Sequence, residues 1–392
     1  MSKTRPCLSR LTISSYPHPE RRYRRYSAPP SPVSVAFDEF FKFSNHFELY
    51  LDFHPASLQL LTMTNTITLK AQCHCGLASY SYSLPNSAFP LKSAICHCTS
   101  CRRVSGQIFT THAVIPVEER PDITKLTSYA SSPNLTRHFC PRCGATMINL
   151  EEEEWEFATG VLSVEGRPEV GALDGLLDRV QLWLSDTIDG GGSVWMSGDW
   201  ESKRHLYSRG TDAVTDEMLR DMASKADHAA TANPEDRLKA SCHCGSIKIW
   251  ICRPEDGGKY GAGIDACASC RKVSGFEITS WITLDPAKVS INEKDLDLET
   301  SKLSHYKTSE DVHRYFCNTC GATIFYLKDG KVKHPGIDLA AGLVDSEAGV
   351  RAEDWLIWTK YDDFVAYQED ASDTKFAQSL VDGVKRRPQV KE

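Results

Sequence analysis

The sequence predicts a mainly β protein made of two tandem copies of one cysteine-rich domain. Three observations carry that prediction: sequence blocks that return in the same order, short alternating strand patterns around them, and cysteines spaced as clips. The 392 residues exceed what one ordinary core organises, and 41% hydrophobic with 25% charged residues is the composition of a globular chain.

The repeat consists of three blocks. Cys73, His74, Cys75 and Gly76 return as Cys242, His243, Cys244 and Gly245. CTSCRRVSG, from Cys98 to Gly106, returns as CASCRKVSG, from Cys267 to Gly275. FCPRCGAT, from Phe139 to Thr146, returns as FCNTCGAT, from Phe316 to Thr323. Cys75 and Cys96 are as far apart as Cys244 and Asp265, which fixes the register of the two copies.

Around the blocks, stretches 67–70, 78–84, 109–117, 246–251 and 278–284 are rich in β-branched and aromatic residues and read as strands. Val214, Met218 and Met222 lie four apart with charges between, which predicts an amphipathic helix over about 215–230. The predicted organisation is an N-terminal extension 1–62, a first domain 63–207, a helical linker 208–237, a second domain 238–372 and a flexible tail 373–392. The extension is rich in Ser and Pro, carries Arg21, Arg22, Arg24 and Arg25, and reads as disordered, with Met63 as an alternative start. Its Arg-rich, acid-poor composition is also compatible with a mitochondrial transit peptide, the alternative to a cytoplasmic location.

A formal charge of −7 supplies no basic field for a phosphate backbone, so nucleic acid is not an expected partner. No apolar run is long enough to span a membrane. Fifteen cysteines without a secretory leader indicate a reducing compartment and metal or redox chemistry in preference to structural disulfides.

In each copy a CxC and a CxxC can place four thiolates around a tetrahedral zinc, with Zn–S of about 2.3 Å. These are Cys73, Cys75, Cys140 and Cys143 in the first copy, and Cys242, Cys244, Cys317 and Cys320 in the second. Four protein ligands close a site, so this zinc is expected to be structural. A CxxC redox pair is the alternative, but it leaves the CxC of each copy without a role.

Cys96, Cys98 and Cys101 remain. Three thiolates leave one position open for water, a thiol or a carbonyl oxygen, which is what a catalytic zinc requires, and closure by His97 is the structural alternative. In the second copy the same positions hold Asp265, Cys267 and Cys270. A carboxylate also ligates zinc, so this site is either a weakened one or a functioning variant. Arg102, Ser105 and Gly106 follow the triad and are candidates for binding a substrate carboxylate through the guanidinium. The tryptophans 183, 195, 200, 355 and 358 are assigned to core and interdomain packing.

These blocks, CHCG, CHCTSCRRVSG and FCPRCGA, resemble the glutathione-dependent formaldehyde-activating enzyme family, whose domain also occurs in centromere protein V. The resemblance covers most of 66–200 and again 238–366. It implies a mainly β fold shared with the methionine-R-sulfoxide reductases, a structural zinc at the CxC and CxxC cysteines, and a second zinc at the triad. It also implies carbon–sulfur lyase chemistry on a thiol such as glutathione and a small aldehyde, or on their adduct. The second copy departs from the pattern at Asp265 and Ala266. The competing reading is a noncatalytic, zinc-stabilised binding protein, since one fold hosts many functions. A sulfoxide reductase would need a reactive cysteine outside the clips, and only the triad could supply it.

Overall fold

The computed structural model describes residues 65–386, apart from 118, 152, 199–202, 208–211, 233–235, 300–302, 331–335 and 360–362. The extension 1–62, Met63 and Trp200 lie outside the described residues.

The first copy opens with β1 (Thr66–Gln72) and β2 (Ser79–Pro85). In β1 the period of two puts Leu69 and Ala71 inside while Lys70 and Gln72 face out, as a half-buried strand requires. Next come β3 (Leu91–Cys96), the short helix α1 (Thr99–Ser105) and β4 (Thr110–Val114). A meander follows of β5 (Thr127–Ser132), β6 (Leu135–Phe139), β7 (Thr146–Glu151) and β8 (Glu154–Ala158), then β9 (Leu162–Val164) and β10 (Leu177–Leu182). The strands form a three-stranded sheet, β2-β1-β9, and a seven-stranded sheet, β10-β3-β4-β8-β7-β6-β5.

The predicted linker helix is α2 (Asp216–Ala232), with Asp216 and Glu217 in its first turn. The second copy then repeats the architecture with β11 (Arg237–Ser241), β12 (Lys248–Cys252), β13 (Tyr260–Asp265), α3 (Ala268–Ser274) and β14 (Thr279–Leu284). The short strands β15 (Val289–Ile291) and β16 (Lys294–Asp295) have no counterpart in the first copy. The meander recurs as β17 (Leu303–Ser309), β18 (Val312–Cys317), β19 (Thr323–Lys328) and β20 (Ile337–Ala340). Then come β21 (Val344–Asp345), β22 (Leu356–Trp358) and β23 (Val365–Ala366). The large sheet runs β17-β18-β19-β20-β14-β13-β22, the order of the first copy, and β23 also pairs with β13.

The chain closes with α4 (Thr374–Arg386), so the expectation of a flexible tail is corrected over these residues. Phe376, Ala377, Leu380 and Val381 make one apolar stripe at helical spacing, and it is buried. Gly383 of α4 lies so close to the first copy that a Cβ there would stand 1.9 Å from the Trp195 carbonyl oxygen. Asp373, just before the helix, and Glu277 both accept from the buried Arg179 of β10, at 2.9 and 2.7 Å. Trp195, Trp355 and Trp358 are buried, and Trp195 meets Trp358 across the copies at 4.8 Å between ring centroids. Trp183 is 39% exposed, contrary to its assignment to the core.

The two copies pack reciprocally, as two subunits do about a two-fold axis. The amide of His74 donates to the Lys272 carbonyl at 3.2 Å, and that of His243 to the Arg103 carbonyl at 3.1 Å. Gly160 N donates to Gly275 O, and Gly342 N to Gly106 O, both at 2.8 Å. Gly106 and Gly275 end α1 and α3 in the left-handed conformation. A Cβ there would come within 2.3 Å of the Thr323 and 2.2 Å of the Thr146 carbonyl oxygens, so these helix ends touch the other copy's backbone. Among the described residues no helix is long and apolar enough to cross a membrane.

Candidate metal centres and the paired triad sites

Each clip joins a turn after the first strand of a copy to a turn between two meander strands. The ligand atoms of Cys73, Cys75, Cys140 and Cys143 all lie within 4.8 Å of one another, as do those of Cys242, Cys244, Cys317 and Cys320. Cys73 and Cys75 are 3.6 Å apart at sulfur, Cys75 and Cys140 3.5 Å, and Cys244 and Cys317 3.6 Å. A tetrahedron with metal–sulfur bonds of about 2.3 Å has edges of about 3.8 Å, so both clips fit a four-thiolate metal site. Gly144 and Gly321, at φ of 82° and 77°, turn the chain immediately after the CxxC.

The clip of each copy also abuts the triad helix of the other. His243, between two clip cysteines, hydrogen-bonds the hydroxyl of Tyr129 through Nδ1 at 2.8 Å, and His74 does the same with Tyr306 at 2.9 Å. Each histidine is thereby taken up by a tyrosine of the facing copy.

The third cluster is Cys96, Cys98 and Cys101, also within 4.8 Å of one another. Cys96 ends β3, Cys98 caps α1 by accepting from the Cys101 amide at 3.3 Å, and Cys101 lies within the first turn. His97 points elsewhere: its Nε2 meets Gln181 Oε1 at 3.2 Å, and burial pulls its pKa down to about 3. Arg137 on β6, 2% exposed, sends Nη2 to the Cys101 sulfur at 3.2 Å. Its Nη1 is buried without a partner among the described residues. Hydrogen bonds from Cys96 and then Cys98 hold Cys101 well below the ordinary thiol range. Burial lowers His112 on β4 to about 4, and burial, reinforced by Glu151 and Cys101, raises Glu156 on β8 to about 7.

Arg102 has a different place from the one its sequence position suggests. Its guanidinium is buried and donates to the His97 carbonyl at 3.2 Å and to the Thr99 hydroxyl at 3.2 Å, bracing the turn that carries the triad. Ser105 accepts from the Gln107 amide at 2.9 Å, and Gly106 serves the interface between copies. The cation at the sulfur is Arg137 instead. A repeat-based signal for it was present, since Arg137 and Arg314 both stand three residues before the first cysteine of the third block. Glu156 and Asp338 likewise occupy one repeat position, pairing with Val114 and Thr283 across corresponding ladders.

In the second copy the structure does not gather Asp265, Cys267 and Cys270 into such a cluster; among the described residues the clusters are the two clips and the first-copy triad. Asp265 is engaged otherwise. Its Oδ1 accepts from the Thr279 hydroxyl at 2.8 Å and the Cys267 amide at 3.2 Å, and its Oδ2 accepts from the Trp281 indole at 2.9 Å. Burial raises it to about 6, while hydrogen bonding from Cys270 pulls Cys267 down to about 5. Arg314 repeats the role of Arg137, donating to Cys270 at 3.2 Å. A cavity of about 730 Å³ opens here, with Asp265, Cys267 and Arg314 at its polar side.

The fold and these clusters define a tandem, cysteine-clipped β protein with a three-thiol cluster in its first half. The family model described as glutathione-dependent formaldehyde-activating enzyme matches residues 68–174 and 237–361, more than half of the chain, and the protein belongs to that family. No match was found among curated proteins.

Proposed function

We propose that the first copy is a zinc-dependent enzyme of the carbon–sulfur lyase type, acting on a glutathione-like thiol and a small aldehyde or on their adduct. The observation that carries the reading is the cluster of Cys96, Cys98 and Cys101 at the start of α1, three thiols with no fourth Cys, His, Asp or Glu gathered with them among the described residues. Cys96, Cys98 and Cys101 would hold a zinc ion, which would supply a Lewis acid able to lower a thiol pKa and polarise a carbonyl oxygen. The clips take structural zinc.

The chain's own groups supply the rest. The cation of Arg137 stands at the Cys101 sulfur and offsets the negative charge the triad accumulates. Its unpartnered Nη1 is a donor for an oxygen of a bound adduct. In adduct formation the thiol proton leaves as the S–C bond forms and a proton reaches the carbonyl oxygen; cleavage reverses both. Glu156 lies on β8, the strand beside β4, within the field of Cys101 and Arg137, and burial raises it to about 7, so it is suited to hold that proton.

The test is metal content per chain by elemental analysis, on the intact protein and on a variant with Cys96, Cys98 and Cys101 changed to Ser. The expected result is a loss of about one zinc with circular dichroism unchanged, together with loss of thiol-adduct turnover above the spontaneous background. Unchanged metal content sinks the enzyme reading and leaves a zinc-stabilised binding protein.

A further inference from the structure

We propose that Cys267 and Cys270 of the second copy form a metal-independent dithiol–disulfide site, which takes neutral low-molecular-weight disulfides with apolar substituents into the adjoining cavity.

The loss of the metal-type cluster is the first ground. Both oxygens of Asp265 accept hydrogen bonds from Thr279, Trp281 and the Cys267 amide, so the carboxylate serves the protein's own donors. The unequal access of the two sulfurs is the second. They lie one turn apart at the start of α3, Cys267 half-buried on the cavity wall and Cys270 buried under the Arg314 guanidinium. An accessible sulfur followed one turn later by a buried one is the arrangement that disulfide exchange uses: the first attacks, and the second resolves. Arg314 is 3% exposed, and its Nε has no partner among the described residues.

The cavity supplies the third ground and the substrate class. Its floor is β13, where Gly261 and Gly263 stand at the positions that Lys92 and Ala94 occupy in the first copy. A Cβ on Gly261 would meet nothing within 4 Å. Ile357 and Tyr367, 53% and 59% exposed, offer apolar surface at the rim, and the volume is that of a small-molecule site. Two carboxylates, Asp265 and Asp338, line the same space against one guanidinium, Arg314, which is held at the Cys270 sulfur, and this balance disfavours anionic substituents. An electrophile other than a disulfide would leave Cys270 without a part in the reaction.

The chemistry balances without a metal. The Cys267 sulfur attacks one sulfur of RS–SR′, forming a protein–SR bond and releasing R′S⁻, which takes up a proton. The Cys270 thiol gives its proton to Asp265 beside it and attacks Cys267, releasing RS⁻, which is protonated in turn. The substrate disulfide is reduced by two electrons to two thiols, and the protein dithiol becomes a disulfide. Two equivalents of a small-molecule thiol reverse that oxidation and are themselves oxidised.

The experiment treats the intact, metal-loaded protein with a neutral dipyridyl disulfide, alkylates the remaining thiols and maps the peptides by mass. The expected result is a Cys267–Cys270 disulfide with metal content unchanged. Cys270→Ser should stop at a mixed disulfide on Cys267. Gly261→Phe, which fills the cavity floor, should slow capture by the dipyridyl disulfide roughly tenfold, as lost burial of a few methylene-sized groups predicts, while leaving iodoacetamide labelling of Cys267 unchanged. Recovery of the peptide as a fully alkylated dithiol overturns the proposal, as does loss of one metal ion per chain in Cys267→Ser. Equal slowing of both reagents by Gly261→Phe removes the cavity from the account.

Discussion

Before α1 the first copy places Cys96, with His112 and Asn149 on the neighbouring strands; before α3 the second places Asp265, with Trp281 and Tyr326 at the corresponding ladder positions. The clips, the sheet order and the buried arginine at the second sulfur of the helix are common to both. The contrast separates what the fold needs from what the chemistry needs. The four-thiol clip is present twice, each closing its own domain and pressing against the other copy's short helix, α3 or α1. The three-thiol cluster is kept once, and where it is lost the space fills with aromatic side chains and an open cavity.

The largest effect expected concerns the common part. Cys140→Ser and Cys317→Ser should each remove one metal ion, and structural four-thiolate sites contribute on the order of 10 kcal/mol to folding. Both variants should therefore lose cooperative thermal unfolding or be recovered mostly unfolded. Milder removal of the second clip's metal with a chelator should also depress activity at the first triad, because His243 holds Arg103 of α1 and Tyr129. Activity unaffected by loss of the second clip, with the fold intact, would break the picture of reciprocal support.

The next test acts on the difference. Asp265→Cys restores three thiols to the second copy, and elemental analysis should then find one additional metal ion per chain. Cys96→Asp in the first copy should lose one. If Asp265→Cys gains nothing, the aromatic neighbours rather than the missing thiolate keep metal out. The carboxylate's three present donors, Thr279, Trp281 and the Cys267 amide, would then have to be removed as well.

Clips and triad were legible in the sequence because a metal site written as CxC and CxxC carries its geometry in its spacing, and the repeat states it twice. Arg137 was not legible by that route. It reaches Cys101 from a strand 36 residues further along, and only the sheet brings the two together. α4 was missed because the basic residues Lys385, Arg386 and Arg387 mark a solvated end, while its apolar stripe covers few residues among Ser, Asp and Lys. The packing of the copies on each other was hidden as well. A repeat says that two domains are alike, whereas the close approach of Gly106 to Thr323 and of Gly275 to Thr146 depends on docking. The cavity was not legible because glycine carries no strand signal of its own, and only in the sheet do Gly261 and Gly263 become a floor.

The smallest effect expected is a titration in the first copy. Glu156 is raised from an ordinary value of 4.5 to about 7, mainly by burial, so the folded protein holds its proton where the unfolded chain has released it. Between about pH 4.5 and 7 the folded state therefore binds more protons, and stability falls as pH rises through that window. Glu156→Gln removes the ionisation without removing the side chain's bulk. The variant should match the parent near pH 4 and exceed it by about 1–3 kcal/mol near pH 8, measured by denaturant unfolding at both values. If the group also carries the proton of the reaction, the same variant gains stability and loses turnover, with the parent's activity following an ionisation near neutrality that the variant lacks. A stability gain with turnover and pH profile unchanged would leave Glu156 as a strained buried acid and place proton transfer on another group.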